Sequence, residues 1–144
     1  MPTERILVDT GPIVAALRSD DQHHAACSEQ LRNLPAPLYT CWPVITEAAW
    51  LLRQHPSRLR DFLKTCDGNP FEIVPLRSDD LPTINQILAK YEDQNIQLAD
   101  ACLIHLAGEL DTDRIFTIDL TDFHIYARRM ANRFAFCQHR SRRS

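Results

Sequence analysis

The run Ile6-Leu7-Val8 is apolar at every position, stops at Asp9, and gives way at once to Thr10-Gly11-Pro12. A strand with one wet face alternates polar and apolar residues. A run with no polar position needs cover on both faces, which is the condition of a strand inside a parallel sheet. Parallel strands cannot be joined by a hairpin and need a crossover, most often a helix. Pro12 suits the first turn of one, where its missing N–H costs no hydrogen bond, so a helix is expected from there to about Leu17. This opening commits the chain to an α/β arrangement.

The remaining sequence repeats the alternation. Asp20 or Asp21 is placed to cap a helix reaching about Leu34, and Pro35-Ala36-Pro37 ends it. Leu38 to Cys41 reads as a short strand. Pro43 opens a helix through Leu52 with Val44, Ala48, Leu51 and Leu52 on its apolar face. Ser57 caps a helix carrying Leu59, Phe62 and Leu63. Phe71 to Leu76 reads as a strand, and Ser78-Asp79-Asp80 caps a helix with Leu81, Ile84, Ile87, Leu88 and Tyr91 at helical spacing. Leu98 to Leu110 is apolar enough to be a central helix. Arg114 to Ile118 and Phe134 to Cys137 complete the strands. Strands alternating with helices predict an α/β sandwich with a mainly parallel central sheet. No linker or repeat interrupts it, so residues 1–137 are expected to form a single domain and 138–144 a basic, flexible tail.

A chain of 144 residues is about one domain long and can bury roughly two-thirds of its unfolded surface. No stretch approaches the roughly 18 apolar residues of a membrane span, and Asp9 cuts the first apolar run short of a signal peptide, so a cytoplasmic protein is expected. The five cysteines are odd in number and form no Cys-x-x-Cys pair, which predicts free thiols rather than a disulfide framework.

The net charge of −3 conceals a strong asymmetry. Residues 1–124 hold all nineteen acids against ten Lys or Arg, a balance of −9, and the last twenty residues hold six arginines and no acid. An acidic body does not suit passive nucleic-acid binding, because phosphate contacts need cations. It suits an enzyme whose acids are offset locally by metal ions.

Four of those acids stand where an α/β fold gathers its ligands. Asp9 and Asp119 end strand-like runs; Glu47 and Asp100 lie near the starts of helix-like ones. Strand C-termini and the following helix N-termini meet at one edge of an open parallel sheet. Carboxylates crowded there repel unless protons or a hard cation neutralise them, which points to a divalent-metal site. The bland readings are weaker. Asp9 alone is an ordinary cap and Asp119 an ordinary turn former, but Glu47 sits among Ile45, Ala48 and Ala49, and Asp100 would be a costly unpaired charge in an apolar helix. No histidine has metal-ligand spacing. Trp42, Trp50 and Tyr126 read as core or dimer-interface residues rather than base-stacking platforms.

The segments Leu7-Val8-Asp9-Thr10-Gly11-Pro12, Ile45-Thr46-Glu47-Ala48, Leu98-Ala99-Asp100-Ala101-Cys102-Leu103 and Phe116-Thr117-Ile118-Asp119-Leu120-Thr121-Asp122-Phe123, in this order and spacing, resemble the PIN-domain proteins, specifically the VapC-type toxins of bacterial toxin–antitoxin pairs. The resemblance runs from Leu7 to about Arg128. It implies a three-layer α/β/α sandwich, a Mg²⁺- or Mn²⁺-dependent endoribonuclease acting on RNA, a homodimer, and inhibition by a cognate antitoxin protein. Asp9, Glu47, Asp100 and Asp119 carry over as the catalytic and metal-binding quartet. Asp9 and Asp100 are the direct ligands, with Glu47 and Asp119 acting through water or completing a second site. Asp122 is a supporting acid, and Thr10 and Thr117 are placed to hydrogen-bond the carboxylates or a scissile phosphate. Arg128, Arg129 and Arg133 are the expected phosphate contacts. The alternative is a PIN-like binding or regulatory module without activity. Two other enzymes fail on the residues. An aspartic protease needs a second Asp-Thr-Gly in an all-β fold, and a haloacid-dehalogenase-type phosphatase needs an acid where Gly11 stands.

Overall fold

The computed structural model of the protein describes residues 5–118 and 135–136. Strands β1 (Leu7–Val8), β2 (Leu38–Thr40), β3 (Phe71–Ile73), β4 (Arg114–Phe116) and β5 (Ala135–Phe136) form one sheet in the order β3-β2-β1-β4-β5. Every neighbouring pair is parallel. The strands are flanked by helices α1 (Thr10–Leu17), α2 (His24–Asn33), α3 (Trp42–Leu51), α4 (Pro56–Lys64), α5 (Leu81–Lys90) and α6 (Leu98–Glu109). This is the α/β sandwich with a parallel sheet that the alternation predicts, in the three-layer α/β/α form that the resemblance implies.

Strand β1 occupies the middle of the sheet, and Leu7 and Val8 are fully buried between its neighbours. That placement explains the uninterrupted apolar run: both faces of the strand meet packed helices. Leu7 pairs with Tyr39 on one side and Ile115 on the other. The ladder continues one residue past the strand, where the Asp9 N–H donates to the Phe116 carbonyl at 3.0 Å. Hydrogen bonding thus reaches the first acid and fixes its backbone to the end of β4.

Helix α6 is buried along most of its length, from Ala99 through Ala107 apart from half-buried Asp100. Small residues at Ala99, Ala101 and Ala107 let it lie close to its neighbours. On α3 the buried stripe is Val44, Ile45 and Ala48, continued by Leu52. Leu51, expected on that face, is largely exposed.

Element ends shift by the chemistry of their first turns. Asp21 does accept from the His23 N–H at 2.8 Å, but α2 itself starts only at His24. Helix α4 starts at Pro56 rather than after Ser57, because proline is at ease in a first turn. Ser78–Asp80 forms a 3₁₀ turn before α5, with Asp80 accepting from the Arg77 N–H at 2.6 Å. Leu52 and Phe62 are buried in the core, Phe62 edge-on to Phe71. Trp42 and Trp50 are 56% and 63% exposed, which removes both from the core. Among the described residues no helix is long and apolar enough to cross a membrane.

Candidate active site

Asp9 is the hinge of the site. It follows β1 in extended conformation and is the N-cap of α1, its Oδ1 accepting from the Thr10 N–H at 2.7 Å. Its Oδ2 accepts from the Thr117 hydroxyl at 2.9 Å, just beyond the end of β4. Thr10 turns its own hydroxyl the other way and donates to Glu47 Oε1 on α3 at 2.8 Å. Asp100 is the third residue of α6. Its Oδ2 accepts from the Gln97 N–H at 2.9 Å and the Gln97 side chain accepts from the Asp100 N–H, a reciprocal cap that fixes the start of the helix.

Asp9, Glu47 and Asp100 come from three separate elements and line one cavity of about 560 Å³, with Thr10, Gly11, Gln94, Asn95 and Ile118 among its other walls. Asp9 is 6% exposed; Glu47 and Asp100 are half-buried. Burial pushes the Asp9 carboxyl up to about 7, and the neighbouring Asp100 and Glu47 charges push the same way. The Thr10 N–H and Thr117 hydroxyl pull down without prevailing. The site is therefore short of positive charge in the absence of a cation.

Gly11 explains how α1 can begin so close to the sheet. A Cβ built there would lie 2.5 Å from Ile118 Cγ1 and 2.9 Å from its Cδ1. Only a residue without a side chain lets the first turn of α1 press against the chain leaving β4, which keeps Thr117 within reach of Asp9.

An all-oxygen donor set of carboxylates fits Mg²⁺ or Mn²⁺. Among the described residues, no group of three or more His, Cys, Asp and Glu is placed to hold a metal ion by itself. Mg²⁺ takes one or two protein carboxylates and keeps several waters. Cysteines do not compete for the role: burial pushes the Cys41 thiol up to about 12 and that of Cys102 to about 11, so both stay protonated. Asp119, Asp122, Arg128, Arg129 and Arg133 lie outside the described residues.

One polar pair escaped sequence reasoning. His105, buried on α6, has its Nε2 2.9 Å from Asp80 Oδ1. The backbone N–H of Arg77 and the His105 ring together hold the Asp80 carboxyl below the usual carboxylate range. The pair bolts the approach to α5 onto α6 and lies outside the carboxylate cavity. Its only sequence signal is a histidine within an otherwise apolar helix.

The sequence profile of the PIN domain matches residues 6–128. The chain belongs to the PIN-domain family. Ribonuclease VapC26 of Mycobacterium tuberculosis (strain ATCC 25618 / H37Rv) is 26% identical over 120 residues, covering 82% of this chain and 89% of that protein. Among solved structures, the crystal structure of Mycobacterium tuberculosis VapC20, described as a sarcin–ricin loop cleaving toxin, superposes with a TM-score of 0.73 at 16% identity. That likeness covers 83% of this chain and 94% of VapC20 and concerns the fold. The PIN-domain family, read from four short motifs, is borne out.

Proposed function

We propose that this PIN-domain protein is a Mg²⁺- or Mn²⁺-dependent endoribonuclease and the toxin of a toxin–antitoxin pair. The observation that carries the reading is the convergence of Asp9, Glu47 and Asp100, from three elements, on one cavity whose deepest carboxylate is pushed up to about 7. The relationship to a curated ribonuclease over 82% of the chain supports it.

Asp9 and Asp100 would hold the metal, with Glu47 and Asp119 assisting through water or at a second position. A bound divalent ion supplies an activated water and neutralises charge on the phosphate. The chain's own residues prepare that chemistry. The Thr10 N–H and Thr117 hydroxyl orient both oxygens of Asp9 and leave each a further lone pair. The Thr10 hydroxyl aims Glu47. The Gln97 backbone fixes the rotamer of Asp100. Asp122 would support the acids from outside, and Arg128, Arg129 and Arg133 would meet substrate phosphates against the −9 charge of residues 1–124. Charge reversal at Arg128 and Arg129 then weakens RNA binding and flattens its salt dependence; no change in either would remove these arginines from the substrate path.

A cognate antitoxin segment would block the same cavity, the working state would be a homodimer, and both would act in the cytoplasm, where the substrate RNA is. Exposed apolar side chains such as Leu63 favour self-association. Sedimentation showing only a 16.6 kDa monomer at tens of micromolar protein would refute the dimer. The function itself is tested by incubating the purified protein with tRNA, rRNA and mRNA in Mg²⁺ or Mn²⁺ and mapping the cuts. Cleavage that chelator abolishes is expected. Intact RNA throughout, with no divalent binding by calorimetry at millimolar metal, would instead identify an inert PIN-like module.

A further inference from the structure

Beside the carboxylate cavity lies a second, apolar groove of about 460 Å³, and Glu47 and Gln97 line both. Helix α3 builds one side with Trp42, Thr46 and Trp50; the start of α6 builds the other with Leu98 and Ala99. Positions 42, 46 and 50 follow one another up a single helix stripe at four-residue intervals. Trp42, Trp50 and Leu98 are each more than half exposed, although each would gain by leaving water. Contiguous exposed apolar surface of this kind marks an interaction site.

Its occupant follows from position and chemistry. Glu47 belongs to both cavities, so whatever fills the groove lies beside the carboxylates. Substrate and a blocking antitoxin segment would both occupy that approach, so the chemistry of the groove decides between them. The groove offers flat indole surface, no Lys or Arg among the described residues of its walls, and an arginine stacked on one of its rings: the Arg53 guanidinium lies 4.0 Å from the Trp50 ring centroid, tethered by a 2.9 Å bond from its Nη1 to the Trp50 carbonyl. Exposed aromatic rings with a stacked arginine are how proteins hold unpaired bases.

We propose that this groove seats an unpaired base adjoining the scissile phosphate, with Trp50 as the stacking platform and Trp42 extending it. The proposal rests on the ribonuclease reading and adds a substrate-positioning element to it. Trp50 then acts on how RNA is held rather than on the bond-breaking step.

Trp42 and Trp50 are the only tryptophans in the chain, so its intrinsic tryptophan emission reports on this groove alone. The full-length protein is titrated in chelator with a short single-stranded RNA of mixed sequence, which binds without being cut. Saturable quenching of the emission is expected. Trp50→Ala should weaken binding of a fluorescently labelled RNA about 5- to 150-fold, the usual effect of removing a stacked aromatic. In Mg²⁺ it should raise KM with kcat retained, while Trp50→Phe recovers part of the loss and circular dichroism stays native. RNA that is bound and cut with unchanged emission and an unchanged KM in Trp50→Ala would overturn the groove assignment and leave the nuclease standing. A variant that changes only the sedimentation coefficient would assign the face to a second copy of the chain. Wild-type protein that neither binds nor cuts RNA would remove both readings.

Discussion

Thr117 donates its hydroxyl to Asp9 Oδ2 at 2.9 Å, joining residues 108 positions apart at the ends of adjacent strands. The bond exists because β1 and β4 pair in parallel, Val8 opposite Phe116, so their C-terminal continuations emerge side by side. Replacing Thr117 by Val keeps the shape and removes the donor. Mg²⁺ affinity should fall by about 10- to 100-fold, the usual loss when a partner orienting a metal ligand is removed. Thr117→Ser should restore it. Calorimetric titration giving the same affinity in Thr117→Val would show that the hydroxyl does not orient Asp9.

The buried Asp9 carboxyl makes the metal-free protein sensitive to pH. Its folded-state value, about 7, lies above the ordinary 3.8, so between these values the folded chain binds more protons than the unfolded one. Stability falls as pH rises through that window and the full penalty stands above pH 7. Three units correspond to about 4 kcal/mol at most. Asp9→Asn should abolish the decline, because an amide occupies nearly the same volume without a charge and the Thr117 hydroxyl can turn to accept from it. In urea unfolding with chelator, the variant should exceed the wild type by a few kcal/mol at pH 8 and match it near pH 4. Equal stability at pH 8 would mean that Asp9 is not desolvated.

Gly11 has a purely steric role. Gly11→Ala should cost about 1–3 kcal/mol, as overpacking does, since Ile118 Cγ1 must move. The double variant with Ile118→Ala should recover most of that loss beyond additivity, because the clashing atoms are gone. Thermal melts of the two single variants and the double variant decide it; strict additivity would place the cause elsewhere.

Much of this architecture was legible in the chain. The uninterrupted run before Asp9 announced a strand covered on both faces, and small apolar residues from Ala99 to Ala107 announced a buried helix. What periodicity could not supply was the depth of each face. On α3 every turn carries apolar residues, and only packing decides that Val44, Ala48 and Leu52 point inward while Trp42 and Trp50 face water. At the site, the acids were visible as residue types at strand and helix ends. Thr10 and Thr117 were expected to bond the carboxylates and do so, but which acid each meets was not legible, because Thr10–Glu47 and Thr117–Asp9 are 37 and 108 positions apart. Asp100 was explained only by its metal role, yet it also closes the cap of α6 with Gln97.

The Asp80–His105 pair, 25 positions apart and equally invisible, is expected to be structural. Asp80→Ala removes the acceptor of both the His105 ring and the Arg77 N–H. It should lower the unfolding free energy by about 1–3 kcal/mol, the cost of stranding partly buried polar groups, without changing RNA cleavage. Lost cleavage in a folded Asp80→Ala protein would place the pair within the catalytic machinery instead.

The most direct test of the central claim is the rate of RNA cleavage as a function of Mg²⁺ concentration for the wild type, Asp9→Asn and Asp100→Asn. The account predicts cleavage that rises with metal and saturates in the wild type, and loss of it in both variants while circular dichroism shows the fold intact. Wild-type cleavage that persists in chelator, or full cleavage by either variant, would contradict a metal site built on Asp9 and Asp100.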